Sequence, residues 1–223
     1  MNTTLHYIYD PMCGWCYAAA PLIQAARQID GLNIELHAGG LWVGSQVKRI
    51  TPELREFVIT NDARIAQISG QTFGAGYQNG LLSNTQAVLD SEPPIRAILA
   101  AQQLAGQNAE TDSANHSAKG LDLLHAIQTA HFIDGREVSQ LNTLLDIAAK
   151  LGWDRDAFQQ SYLQTDVTAH WQQTHQLMNQ WQIQGYPNFL LQHAGQWFRV
   201  PHSAFYGQPQ AFAQQLRSGI AAA

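Results

Sequence analysis

Cys13 and Cys16 stand three residues apart, and they are the only cysteines among 223 residues. Two positions chosen at random would have that spacing roughly one time in a hundred. A thiol pair this close can exchange with disulfides, supply two ligands to a metal, or sit inert in a core. Zinc needs about four ligands, and the chain has no second cysteine pair. His170 and His175 are five apart, which on a helix points them about 140° from one another. There is no His-Glu-x-x-His. No metal is therefore expected, and disulfide exchange is the favoured chemistry.

The pair falls where a strand should give way to a helix. Leu5-His6-Tyr7-Ile8-Tyr9 reads as a strand and stops at Asp10-Pro11. A helix should run from about Cys13 to Ile29, kinked or restarted at Pro21 and ended by Gly31. The N-terminus of a helix carries a partial positive charge and unpaired N–H groups, and both stabilise a thiolate. Cys13 is thus the expected nucleophile. Cys16, almost one turn later, is the expected resolving thiol and should be the less exposed of the two. Gly14 and Trp15 lie between the sulfurs and should tune the redox potential. Neither brings a positive charge, so the thiolate should be stabilised less than in a pair spanning a histidine.

A second candidate element lies far downstream. Gly185-Tyr186-Pro187 directly precedes a strand, a position that proline tolerates. A glycine two before the proline suggests a special turn. Taken alone, this signal is not specific.

The remaining elements set the architecture. Ile34 and Leu36 mark a second strand that ends at Gly39-Gly40. Residues 4–38 then form a strand–helix–strand unit with parallel pairing. From about Thr51 to Gln184 the patterns are helical. Ser91-Glu92-Pro93-Pro94 is a helix start. Leu141, Leu144, Leu145, Ala148 and Leu151 follow a helical period that Gly152 should end. Asp154 and Asp166 should cap the next two helices. Val167, Trp171, Thr174, Met178 and Trp181 form one stripe, expected to be core. Strand character returns in Asn188–Gln192 and Gln196–Val200 around His193-Ala194-Gly195, a hairpin. A last helix should span about Pro209 to Arg217, with the Ala221–Ala223 tail frayed. Gly74-Ala75-Gly76-Tyr77-Gln78-Asn79-Gly80 has the wrong spacing for a nucleotide-binding loop. It is expected to be a flexible loop, one that can still line a substrate cleft. Trp15 and Trp42 could wall that cleft, although core packing fits Trp42 equally well. Asp134 and Arg136 read as surface-loop residues. No cofactor is expected.

Composition narrows the partners. Hydrophobic residues make up 45% and charged residues 13%, and the formal net charge is −5. The 12 Lys and Arg are scattered, so no polyanion and no nucleic acid is expected. No apolar stretch approaches the roughly 18 residues of a membrane span. No charged n-region precedes the first apolar run, so a chain starting at Met1 would be cytoplasmic. There a close thiol pair is more often catalytic or metal-binding than a structural staple, and its resting state would be reduced.

Asp10-Pro11-Met12-Cys13-Gly14-Trp15-Cys16-Tyr17, together with Gly185-Tyr186-Pro187-Asn188-Phe189, resembles the DsbA-type branch of the thioredoxin-fold superfamily. Within that branch the chain is most similar to the cytoplasmic FrnE-like group. The resemblance covers nearly the whole chain. It implies an α/β thioredoxin-like domain, residues 1–45 and 184–223, interrupted by a helical domain of residues 46–183. It also implies that Cys13 attacks, that Cys16 resolves, and that Pro187 is cis beside them. The Tyr186 backbone would pair with an extended substrate. The chain departs from the pattern at Tyr7, where many relatives carry a carboxylate that takes the proton of the resolving cysteine. Asp10, His6, Glu35 and water remain open for that role.

Three functions compete. The first is thiol–disulfide exchange with proteins, peptides or glutathione. The second is a glutathione-dependent isomerase or transferase of the kappa-class type, which would not need Cys16. The third is a non-catalytic peptide-binding module. Sequence leaves the oligomeric state unknown.

Overall fold

A computed structural model describes residues 3–107 and 113–222. Strand β1 (Thr3–Tyr9) leads into α1 (Gly14–Ala26) and then β2 (Leu32–Ala38). The chain returns to the same sheet only at β5 (Asn188–His193) and β6 (Gln196–Arg199), followed by α8 (Pro209–Ala222). The sheet order is β2-β1-β5-β6. β1 pairs parallel with β2 and antiparallel with β5. This is the expected thioredoxin-like arrangement with a helical insertion. Between β2 and β5 lie α2 (Pro52–Ser69), α3 (Glu92–Gln107), α4 (Ser113–Phe132), α5 (Leu141–Lys150), α6 (Arg155–Gln164) and α7 (Thr168–Gln180). Two short strands, β3 (Lys48–Arg49) and β4 (Val88–Leu89), pair antiparallel. They are too short to leave a pattern in sequence.

β1 is central and buried on both faces. Leu5, Tyr7 and Tyr9 pack with α1, α8 and the inserted helices in the main core. Ile8, on the other face, packs with Leu190 and Ile183 beneath Leu177, Met178 and Trp181 from the end of α7. The predicted stripe on α7 is thus core, and α7 itself covers the sheet.

Pro21 lies inside α1 without restarting it. A proline has no N–H for the carbonyl four residues back, here that of Tyr17. The Gln71 side chain donates to that carbonyl at 2.9 Å instead. The helix ends earlier than Gly31 suggests. Gln28 and Ile29 close tight turns onto Ala25 and Ala26, and Gly31 supplies a left-handed residue before β2. Asp154 caps α6 through the Ala157 N–H. Asp166 is not the cap of its helix: it sits one residue ahead of the N-cap Val167, and its carboxyl accepts from the Thr168 N–H. Helix α8 continues through Ala222, so Ala221 and Ala222 are helical rather than frayed. Ala223 lies outside the described residues.

Gly76–Gly80 is a helical turn rather than a flexible loop, and Gly74 packs just ahead of it. A Cβ on Gly74 or Gly76 would stand 2.2 Å from the Ile133 carbonyl oxygen or 2.4 Å from that of Asp134. Glycine is needed there for close backbone approach, and Tyr77 is buried as a result. No helix among the described residues is long and apolar enough to cross a membrane.

Candidate active site

Asp10 builds the turn that carries the cysteines. Its carboxyl accepts from the Met12 N–H at 2.8 Å, a local turn of the kind aspartate favours. It also accepts from the Ser91 hydroxyl at 3.1 Å and the Leu41 N–H at 2.6 Å. One buried side chain therefore ties the β1–α1 junction to the segment after β2 and to the start of α3. Burial pushes its pKa up to about 6, against the pull of the Leu41, Met12 and Ser91 hydrogen bonds.

Cys13 is the N-cap residue of α1, and Cys16 follows within its first turn. Cys16 is fully buried, while Cys13 retains 8% exposure and opens on a cleft. Both are free thiols. Cys13 Sγ donates to the Tyr186 carbonyl at 3.7 Å. The Asp10 N–H points at Cys16 Sγ at 3.4 Å. Burial first, and then the neighbouring Cys13 sulfur, push the Cys16 thiol well above its ordinary range. Cys16 is thus held as a protonated thiol behind the exposed one.

The Tyr186–Pro187 peptide is cis and lies against this turn. The Tyr186 ring fills the space over Gly39, where a Cβ would stand 2.1 Å from the Tyr186 hydroxyl. Gly14 is where α2 comes close: a Cβ there would stand 2.9 Å from both Asp62 Oδ1 and Ile65 Cδ1. Trp15 packs on Tyr206, with ring centroids 5.3 Å apart. Both Trp15 and Trp42 line the cleft, as the aromatic-wall expectation had it.

Of the residues left open as proton acceptors, only Asp10 stands beside Cys16. His6 stacks on Trp197 on the sheet face beneath α7, with Glu35 next to it. Tyr7 does face the thiols, and its hydroxyl donates to the Cys16 carbonyl at 3.3 Å. Burial keeps that hydroxyl neutral. His170 and His175 do not point apart. His170 accepts from the Ala38 N–H, and His175 bonds the adjacent Gly39 carbonyl.

Cys13 opens on a cleft of about 370 Å³ between the thiol turn and the inserted helices. Its lining is mostly apolar and contains no Lys or Arg. Two buried polar side chains in that lining escaped the sequence reading, Asp62 of α2 and His131 of α4. Asp62 Oδ2 and His131 Nδ1 have no hydrogen-bond partner within the protein. Burial pushes Asp62 up to about 7, although a Tyr77 hydrogen bond pulls the other way. Burial pushes His131 down to about 4, so its ring is neutral at pH 7. The signal for Asp62 was its place on one helix face with Ile65 and Ser69, the buried stripe of α2.

Comparison with known proteins places this geometry among relatives. The profile of the DSBA-like thioredoxin domain matches residues 4–207. Among curated proteins, none matches the sequence. Among solved structures, the chain is similar to the cytosolic disulfide reductase DsbM from Pseudomonas aeruginosa. They share 36% identity and a TM-score of 0.84, over 99% of this chain and 100% of that one. A structure of DsbM with GSH matches at 35% identity and a TM-score of 0.82, over 98% and 99% of the two chains. A putative protein disulfide isomerase from Nitrosomonas europaea shares the fold at 24% identity and a TM-score of 0.76, over 98% and 97%.

Proposed function

Because the chain belongs to the DSBA-like thioredoxin-domain family, we propose that it reduces protein, peptide or glutathione disulfides in the cytosol, using Cys13 and Cys16. One observation carries the reading: Cys13 opens on the cleft while Cys16 is fully buried within the same helical turn. That asymmetry supports one order of events. The Cys13 thiolate attacks one sulfur of the substrate disulfide. A mixed disulfide forms, and the first substrate thiolate leaves and takes up a proton. Cys16 then gives up its proton and attacks Cys13 Sγ, releasing the second substrate thiol. Two electrons pass to the substrate and leave a Cys13–Cys16 disulfide. A cytosolic dithiol, or two glutathione molecules, returns those electrons.

Burial holds Cys16 as a thiol until the mixed disulfide exists. Asp10, whose N–H points at Cys16 Sγ, is the candidate to receive its proton. The reductase direction rests on the relative whose name carries it. For substrate, the cleft favours apolar segments that are neutral or cationic: Trp15, Trp42 and Phe57 line it, and its one carboxyl, Asp62, has an oxygen without a partner in the protein. That oxygen would accept an N–H or ammonium group of the bound substrate. Glutathione, whose carboxylates find no Lys or Arg in the lining, would be the weaker guest.

Replacing Cys16 with alanine tests the order. Incubated with glutathione disulfide, Cys16→Ala should accumulate a glutathionyl adduct on Cys13, read by intact mass and peptide mapping. Insulin reduction driven by a dithiol should vanish in Cys13→Ala. Turnover that survives without Cys13 would end this reading.

A further inference from the structure

We propose that His6, Glu35 and His37 form a binding site for one divalent transition-metal ion of the zinc class, on the face of the sheet away from the thiols. The register brings them together. His6 on β1 pairs with Glu35 on β2. His37 lies two residues after Glu35, so it projects to the same face. His6 Nδ1 and His37 Nε2 are 2.9 Å apart. His6 Nδ1 is 3.5 Å from one Glu35 oxygen, and His37 Nε2 is 3.6 Å from the other. Ligands bound tetrahedrally at about 2.0–2.2 Å lie roughly 3.3–3.6 Å from one another. Each Glu35 oxygen already stands at that spacing from one of the two nitrogens, and the ligand atoms of the three residues all lie within 4.8 Å of one another. Only the histidine pair must open, by roughly 0.4 Å.

The surroundings suit ligation. Both rings are buried, so the site is shielded from solvent on the histidine side. His6 is held flat against Trp197, with centroids 4.4 Å apart. Its Nε2 faces Gln192 Oε1 at 3.4 Å. With the proton on Nε2 and donated to Gln192, the Nδ1 lone pair is presented to the site, the outer-shell arrangement typical of metal-bound histidine. Without metal, one proton lies between His6 Nδ1 and His37 Nε2, and binding would shift that proton to the far nitrogen of its ring rather than release it. His170 is turned to the Ala38 N–H and is not a ligand. Glu35 is exposed on the edge strand β2, which leaves a fourth position open to water. Two imidazoles and one carboxylate select zinc, nickel, cobalt or copper over magnesium and calcium. A bound ion would clamp β1 to β2. Spacing along one segment cannot reveal the set, because its members come from two strands.

The test uses full-length protein with Cys13→Ser and Cys16→Ser, so that the thiols cannot bind the ion. Titration with Zn²⁺, followed by calorimetry, should show one ion per chain, and Zn²⁺ should raise the thermal midpoint. Glu35→Gln changes an exposed side chain and should fold normally while weakening binding by tenfold or more. Gln192→Ala should weaken it by about tenfold, the usual cost of losing an outer-shell partner. His37→Asn should abolish it. Mg²⁺ should neither bind nor stabilise. The proposal is overturned if the parent takes up no Zn²⁺, if Glu35→Gln and His37→Asn bind like the parent, or if Mg²⁺ binds as well as Zn²⁺.

Discussion

Asp10 and Asp62 are buried carboxyls that flank the same helical turn, and they are treated oppositely. Asp10 accepts three hydrogen bonds, from Met12, Leu41 and Ser91, and its pKa rises only to about 6 although it is fully buried. Asp62 has the Tyr77 hydroxyl, keeps one oxygen unpartnered, and rises to about 7. Donors aimed at a carboxylate favour its charged form, so the better-served group stays the stronger acid. The difference separates scaffold from recognition. The thiol turn is fixed by saturated hydrogen bonds. The wall facing it, contributed by α2 and α4, holds polar atoms in reserve.

The largest effect should come from breaking the saturated side. Asp10→Ala strands the Met12 and Leu41 N–H groups and the Ser91 hydroxyl in the interior. Each buried unpaired donor costs about 1–3 kcal/mol, partly offset by relief of the buried charge, so the net loss should be about 3–4 kcal/mol. Urea unfolding at pH 7 measures it. A loss below about 1 kcal/mol would mean that the turn holds without its carboxyl, and the contrast with Asp62 would collapse.

Asp62→Asn should have a smaller effect of opposite sign. The folded state holds the Asp62 proton up to about pH 7, whereas the unfolded chain releases it near 3.8. Wild-type stability from this group is therefore fullest below about pH 4 and declines as pH rises toward 7. Asparagine does not titrate and keeps an acceptor for Tyr77. Relative to wild type, the variant should gain about 2 kcal/mol between pH 4 and pH 8, less than the full linkage value because the cleft admits water. Unfolding curves at the two pH values give the sign. Losing the charge should also reduce the preference for cystamine over an anionic disulfide by about tenfold in kcat/KM, near the low end for a charged hydrogen bond.

The same contrast explains what the sequence could reveal. Features set by neighbouring residues were readable. The hairpin turn at Ala194-Gly195, with φ of 49° and 82°, follows from a glycine between two strand patterns. The start of α3 after Ser91 and the end of α5 before Gly152 follow from prolines and a glycine. The Cys13–Cys16 turn was legible because its chemistry is local to a strand–helix junction. The orientation of Asp10 was not, since two of its partners lie 31 and 81 residues away. The Gly74–Gly80 segment looked like a loop because its glycines answer to backbone at Ile133 and Asp134. Asp62 and His131 come to line one cleft only when the fold brings residues 69 positions apart to the same opening.

Gly14→Ala joins the two regions and should show the smallest change in stability. Alanine is worth about 1 kcal/mol over glycine within a helix. Against that, its methyl would stand 2.9 Å from Asp62 Oδ1 and Ile65 Cδ1, closer than carbon contacts allow. Both obstacles are the far ends of side chains, so they can shift rather than break the helix packing. The two contributions oppose, and the net change should stay within about 1 kcal/mol. The displaced atom, however, belongs to the carboxyl that faces the cleft. Gly14→Ala should therefore reduce the cystamine preference toward that of Asp62→Asn while leaving thermal stability nearly unchanged, and the double variant should add little to either single one. If preference stays at the wild-type value while stability falls by 2 kcal/mol or more, Gly14 serves packing alone, and the space over the first turn of α1 has no part in substrate choice.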